Sequence, residues 1–177
     1  MTTDPAASGI VELLVDRHDV IVALGTGWDD AATEGNAPAL QGDALIGRSL
    51  YDFIDGDDTV MFVRVMLAGA RSRGTVTVRP YRCDSPTHRR WMEMEMQPRG
   101  NGEVLIRHRL LRSALLPSRV APLSGHGARL PKRCSQCNQL RLDGVWHEPD
   151  APAVLEHLGK AGENFRVIYG ICPQCQA

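Results

Sequence analysis

The chain has 177 residues, of which 43% are hydrophobic and 23% are charged, a composition typical of a soluble globular protein. That length allows one ordinary domain and one small additional module. Because no apolar run approaches the roughly 18 residues of a membrane span and the first residues lack the features of a secretory signal, we expect a cytoplasmic protein without a membrane partner.

The net charge of −1 conceals an uneven distribution of charge along the chain. Residues 1–58 hold 12 acidic and 2 basic residues, whereas residues 59–133 hold 4 acidic and 15 basic residues. Segments of opposite charge attract each other within one fold or between subunits, and an exposed basic segment attracts an anionic partner such as nucleic acid. The sequence leaves both interpretations open.

The N-terminal part predicts a short helix followed by a buried strand. Ile10, Leu13 and Leu14 fall at helical spacing, which predicts a brief amphipathic helix within residues 1–17. Because such a helix is too short to be stable alone, we expect it to pack on the main domain or to mediate homodimerisation. Residues 19–24 are rich in Val and Ile, which predicts a strand.

A series of short helical segments follows this strand. Residues 28–47 are polar and contain several Gly and Pro residues, which predicts loops and short helical turns. Ser49 is placed to cap a further helical turn. A longer helix is predicted to begin near Asp57 and to end at Gly74.

Three strands are predicted next, over residues 75–82, 90–97 and 103–110. In the second of them three methionines alternate with Trp91, Glu93 and Glu95, which predicts a buried methionine face and an exposed acidic face. We expect Glu93 and Glu95 to pair across strands with Arg107 and Arg109.

Residues 112–133 have the composition of a linker. They contain three prolines, two glycines and five basic residues, with no acidic residue. This composition predicts a semi-extended basic tether between two modules.

Two Cys-x-x-Cys pairs, Cys134 with Cys137 and Cys172 with Cys175, define a C-terminal module over residues 134–177. Four thiolates supply the closed tetrahedral set of a structural Zn²⁺ site. An iron–sulfur cluster, or a redox switch in which two disulfides replace the metal, would use the same residues. The odd cysteine count and the absence of an export signal favour reduced thiols on a metal.

The order of these elements resembles that of a PAS domain over residues 18–111. The residues that carry the resemblance are Trp28-Asp29, Glu34-Gly35-Asn36-Ala37-Pro38, the stretch from Ile46 to Ile54, and the final three-stranded meander. The C-terminal segment resembles the cysteine modules that follow some bacterial PAS and receiver domains. The resemblance implies an α+β fold in which a five-stranded antiparallel sheet is flanked by short helices and followed by a small four-cysteine metal module.

A PAS domain senses or relays signals through a bound small molecule or through dimerisation, so the resemblance also implies a ligand cavity. His108 shares strand parity with Val104 and Ile106, which predicts that it faces inward, where it would ligate haem, bond a ligand or serve as an ordinary core residue. The methionines suit a soft pocket wall and a plain core equally well. The candidate pocket residues are Trp28, Phe53, Met92, Met94, Met96 and His108.

No nucleophile elbow, phosphate loop or metalloprotease motif occurs in the sequence, so we expect no enzyme. No kinase, cyclase or helix-turn-helix segment follows the PAS-like region in the sequence. We therefore favour a homodimeric regulatory protein whose zinc module contacts a partner protein. One alternative is a nucleic-acid-binding regulator that uses the zinc module and the basic linker. Another is a haem or thiol redox sensor.

Overall fold

The computed structural model describes residues 10–34, 37–85, 87–117, 121–124, 130–158 and 164–176. The chain divides into two compact units, and each unit is assembled from separate segments. The first unit comprises residues 1–54, 63–80 and 92–112, and the second comprises residues 55–62, 81–91 and 113–177.

The first sheet has five antiparallel strands in the order β2-β1-β5-β4-β3. These strands are β1 (Ile10–Val15), β2 (Ile21–Leu24), β3 (Thr77–Arg82), β4 (His88–Pro98) and β5 (Val104–Leu115). Between β2 and β3 the chain forms helices α1 (Trp28–Glu34), α2 (Gly42–Leu45) and α3 (Asp57–Arg73), with 3-10 turns at Pro38–Leu40 and Leu50–Phe53. The predicted mixed α+β class, with a five-stranded antiparallel sheet and short helices, is confirmed.

The prediction of an N-terminal helix is wrong for residues 10–15, which form β1. Leu13 and Val15 are both buried, so burial follows a period of two. The strand pairs with β2 on one side and with β5 on the other. In the pairing with β5, Ile10 lies opposite Arg109 and Val15 lies opposite Val104. Long-range pairing thus overrides a short apolar spacing that also fits a helix. The rest of the predicted helix, residues 1–9, lies outside the described residues.

Helix α3 and the turn before it form as predicted. The Ser49 hydroxyl accepts a hydrogen bond from the Tyr51 backbone N–H at 3.3 Å. Gly74, which directly follows α3, has φ +64°, a left-handed conformation that commonly ends helices. In the last turn of α3, Arg71 donates to the carbonyl oxygen of Gly102 at 2.8 Å and to the Asp19 carboxylate at 2.5 Å.

The two faces of the meander also follow the sequence prediction. Met94 and Met96 are buried. On the other face Arg109 pairs with Glu93 at 2.5 Å and Arg107 pairs with Glu95 at 3.0 Å. Glu12 of β1 joins this network through Arg107 at 2.5 Å, a contact that the sequence did not indicate. The largest fully buried side chains of this unit are Val15, Ile21, Leu45, Leu67, Met96 and Val104.

The second unit contains another five-stranded sheet, in the order β6-β10-β7-β8-β9. Its strands are β6 (Ala121–Ser124), β7 (Lys132–Cys134), β8 (Leu140–Leu142), β9 (Val145–His147) and β10 (Asn164–Gly170), with helices α4 (Pro152–Leu158) and α5 (Pro173–Gln176). Strand β10 runs parallel to β6 and β7, whereas β7, β8 and β9 are antiparallel. The core consists of Leu140, Leu142, Val154 and Val167, packed by Ala151, Phe165 and Tyr169.

Part of the predicted basic linker forms regular structure, so the prediction of a tether is wrong there. Strand β5 continues to Leu115, β6 occupies Ala121–Ser124, and β7 begins at Lys132. Strand β6 contains Pro122 and lies at the edge of its sheet, the position at which a strand tolerates proline. Its partner is β10, about 40 residues further along the chain, so a local reading of composition does not reveal the strand.

Within the described part of the chain, no helix combines the length and the apolar character that crossing a membrane requires.

Candidate metal centre

The two cysteine pairs are brought together by the pairing of β7 with β10. Cys134 is the last residue of β7, and Gly170 opposite it is the last residue of β10. Because parallel strands place their carboxyl ends at the same edge of a sheet, the turns that follow the two strands are neighbours. Cys137 lies in the turn after β7, Cys172 follows β10, and Cys175 lies on α5.

The first cysteine turn is closed by backbone hydrogen bonds. The Cys134 N–H donates to the Gln139 carbonyl oxygen at 2.8 Å, and the Asn138 N–H donates to the Cys134 carbonyl oxygen at 2.9 Å. Asn138 has φ +63°, a conformation that asparagine tolerates better than most residues. The turn therefore returns the chain into β8 directly after the second cysteine.

The second cysteine turn is the start of a short helix. The Cys172 carbonyl oxygen accepts from the N–H of Cys175 at 3.0 Å and from that of Gln176 at 3.1 Å. Pro173 occupies the first position of α5, where its missing N–H has no intrahelical partner to lose. This local geometry directs the Cys172 and Cys175 side chains toward the same point.

The four thiols form a compact cluster. Their sulfur atoms all lie within 4.8 Å of one another, and the Cys137 and Cys172 sulfurs are 3.7 Å apart. A tetrahedral site with metal–sulfur bonds of about 2.3 Å has sulfurs roughly 3.8 Å apart. Cys134 and Cys172 are buried, whereas Cys137 and Cys175 are half-buried. The donor set and its spacing therefore fit a metal ion.

The electrostatics of the cluster also favour a cation. A hydrogen bond from the Cys137 thiol, supplemented by the Cys172 N–H at 3.3 Å, lowers the pKa of Cys134 to about 4. The same contact raises the pKa of Cys137, and burial raises that of Cys175 to about 12. The negative charge of the first thiolate thus opposes ionisation of the other thiols in the cluster. A divalent cation offsets this repulsion and allows all four thiolates to form.

A group of ion pairs lies in the same unit and connects residues 81–91 with residues 148–150. The Arg82 guanidinium pairs with Asp84 and, at 2.7 Å, with Glu148. Arg89 pairs with Asp150 at 2.6 Å, and the Arg82 backbone N–H donates to the carbonyl of Gln136, between the first two cysteines, at 2.6 Å. No pattern in the sequence marks pairs between positions so far apart along the chain.

Three of the six candidate pocket residues lie on β4. Met94 and Met96 are buried in the core of the first unit, and Met92 is half-buried. Trp28, at the start of α1, donates from its ring nitrogen to the Leu40 carbonyl oxygen at 2.6 Å. The half-buried Phe53 has the Arg48 guanidinium 4.7 Å from its ring centre.

His108, the sixth candidate, is a half-buried residue of β5. Desolvation lowers the pKa of His108 to about 4, so the imidazole is neutral at pH 7. A groove on the first unit is lined by Ile10, Glu12, Glu93, Glu95, Arg107 and Arg109. None of the six candidate pocket residues lines this groove.

No family model matches the chain, and no curated protein matches it. Solved structures do match. A domain of an HTR-like protein from Haloarcula marismortui is 16% identical with a TM-score of 0.43, and the match covers 59% of this chain and 100% of that one. The PAS domain of the RpfR quorum-sensing receptor from Cronobacter turicensis, in complex with BDSF, is 11% identical with a TM-score of 0.44. That match covers 59% of this chain and 96% of that one.

The photoactive yellow protein domain of the sensor histidine kinase Ppr from Rhodospirillum centenum is 19% identical with a TM-score of 0.41, covering 61% of this chain and 97% of that one. At this level of similarity, what these proteins bind or sense is a property of those proteins.

Proposed function

We propose that this chain is a cytoplasmic signalling or regulatory protein of bacterial type, in which a PAS-like sensing or dimerisation domain is coupled to a structural zinc module that contacts a partner protein. The observation that carries the proposal is the convergence of four cysteine sulfurs within 4.8 Å in a chain that also builds a five-stranded antiparallel sheet with helices between β2 and β3.

Zinc is the metal that this donor set suits best. Four thiolates complete a tetrahedral shell and leave no open position for a substrate, which is the arrangement of structural rather than catalytic zinc. The reducing conditions of the cytoplasm keep such thiols available to the metal. A closed shell therefore supports a metal that stabilises the fold and does not itself take part in catalysis.

The PAS-like half of the proposal is supported by the order of elements: two strands, a run of short helices, the long helix α3 and a three-stranded meander. The neutral imidazole of His108 and the buried methionines of β4 offer a soft, weakly polar environment for a small ligand. Sensing or dimerisation would then be the function of this half, and partner contact that of the zinc module.

Native mass spectrometry of the purified full-length protein tests the proposal. We expect one zinc ion per chain, a dimer mass, and loss of the metal in a Cys175→Ser variant but not in a Cys83→Ser variant, since Cys83 lies outside the cluster. A metal-free wild-type protein would refute the zinc module. A monomer without any bound small molecule would refute the sensing or dimerisation role. A coloured protein would indicate a bound haem or iron–sulfur cluster instead of zinc.

A further inference from the structure

We propose that metal binding at the four cysteines fixes the start of helix α3, so that metal occupancy and the conformation of residues 56–62 form one linked equilibrium. This inference rests on the proposed zinc site and extends it to a regulatory role. Strands β7 and β10, together with the cysteine turn after β7, contact the residues around the first turn of α3.

The first contact is a close approach of backbone at Gly56. Gly56 has φ +86°, and a Cβ atom built there would lie 2.6 Å from the Tyr169 carbonyl oxygen. Its own carbonyl oxygen accepts from the N–H groups of Thr59 and Val60 and so begins α3. Tyr169 lies on β10, three residues before the metal ligand Cys172. The helix start and strand β10 are therefore packed without space for a side chain at position 56.

The second contact is between two side-chain hydroxyls. The Thr59 and Ser135 hydroxyl oxygens are 2.6 Å apart, and Thr59 is buried. Ser135 directly follows the ligand Cys134, and its backbone N–H donates to the Gly170 carbonyl oxygen at 2.8 Å. One hydroxyl pair thus connects α3 to the turn that holds the first two cysteines.

The third contact is an ion pair beside the same strands. Lys132 of β7 donates to the Asp58 carboxylate at 2.6 Å. A Cβ atom at Gly170 would contact the Lys132 side chain and would lie 2.8 Å from the Asp58 carboxylate. The Lys132–Asp58 ion pair therefore occupies the space beside Gly170, and a larger residue at position 170 would displace these two side chains.

These contacts make the coupling reciprocal. If the metal holds β7, β10 and their turns in place, and those elements hold residues 56–62, then the factor by which metal binding favours the ordered helix start is also the factor by which an ordered helix start strengthens metal binding. The effect is expected although none of the residues involved is a metal ligand. The structure thus provides a route by which loading of the zinc site is transmitted to a helix.

The test measures zinc affinity of the full-length protein by competition with a chelating dye. Gly56→Ala places a side chain against Tyr169, and we expect about a tenfold loss of affinity. Gly74→Ala is the matched control: Gly74, at the other end of α3, also has positive φ, but a Cβ atom there meets nothing within 4 Å, so affinity should stay within about twofold of wild type.

Thr59→Val keeps the shape of the side chain and removes the hydroxyl, and we expect about a threefold to tenfold loss of affinity. Thr33→Val is its control, because the Thr33 hydroxyl donates to the Asp29 carbonyl oxygen within α1. In hydrogen exchange, chelation of the wild-type protein should increase exchange of residues 56–62 together with that of residues 132–140, while residues 104–110 remain protected.

The outcomes separate the two claims. A wild-type protein that binds zinc, with equal affinities in the Gly56 and Gly74 variants and unchanged exchange at residues 56–62 on chelation, overturns the inference alone. A wild-type protein that binds no zinc overturns the proposed site and the inference together. If Gly56→Ala does not fold, Thr59→Val and the exchange of the wild-type protein decide.

Discussion

The first unit buries a set of large aliphatic and sulfur-containing side chains on its sheet and helices, whereas the core cluster among the described residues of the second unit is smaller and centres on Leu140, Leu142, Val154 and Val167. The second unit adds to this core four clustered thiols and a group of ion pairs around Arg82. Small cores rarely stabilise a fold without a cross-link or a metal. From this difference we expect the first unit to depend on apolar packing and the second on polar contacts and on the proposed metal.

The largest effect is expected from the metal ligands. In Cys134→Ser the cluster loses a buried ligand, and because metal binding supplies folding free energy, residues 132–142 and 164–172 should lose protection from hydrogen exchange while residues 104–110 keep theirs. Cys83→Ser should change neither region, since Cys83 is exposed and outside the cluster. Retention of both zinc and protection in Cys134→Ser would contradict the comparison.

The next largest effect is expected from breaking the buried ion pairs. Arg82→Met leaves Asp84, whose side chain is 5% exposed, without its guanidinium partner, and breaking such a pair typically costs about 3 to 5 kcal/mol. The free energy of unfolding of the second unit should fall by that amount in a urea titration followed by hydrogen exchange. Arg48→Met removes an exposed pair with Asp52 and should cost less than about 1 kcal/mol. Equal costs for the two variants would argue against a polar basis for the second unit.

The first unit should respond instead to loss of apolar volume. Met96 is fully buried, so Met96→Ala should lower the free energy of unfolding of the first unit by about 3 kcal/mol and leave the zinc content unchanged. Met61→Ala, at a residue that is 63% exposed, should stay within about 0.5 kcal/mol of wild type. If Met96→Ala released the metal, the two units would not differ as proposed.

The pH dependence of the first unit provides a smaller test. Burial lowers the pKa of His108 from 6.5 to about 4, so between these values the unfolded chain binds the proton more readily than the folded one. The corresponding stability is present above pH 6.5 and is lost as the pH falls to 4, by about 2 to 3 kcal/mol. Urea titrations of the wild-type protein and His108→Gln over this range measure it, and parallel profiles would show that His108 does not contribute.

What the sequence predicted well was encoded locally or by strict alternation. Spacing within a few residues decides the Ser49 cap and the bounds of α3. Alternation along two consecutive strands decides the burial of Met94 and Met96 and the pairing of Glu93 and Glu95 with their arginines. The spacing of the cysteines likewise indicated which residues would cluster, because thiol chemistry leaves few other uses for two such pairs.

What the sequence did not predict depends on partners far along the chain. Leu13 and Leu14 fit a helix as well as a strand, and only pairing with β5, about 90 residues away, decides between them. The contacts of Thr59 with Ser135 and of Arg82 with Glu148 span 76 and 66 residues. No local pattern marks such pairs, since Thr, Ser, Arg and Glu are ordinary surface residues until the fold buries them.

The most direct test of the account is X-ray absorption spectroscopy at the zinc edge, combined with metal analysis of the purified full-length protein. We expect one zinc per chain, with four sulfur neighbours at about 2.3 Å. A metal content far below one per chain, or a shell that contains nitrogen or oxygen ligands, would contradict the assignment of the second unit as a four-cysteine zinc module.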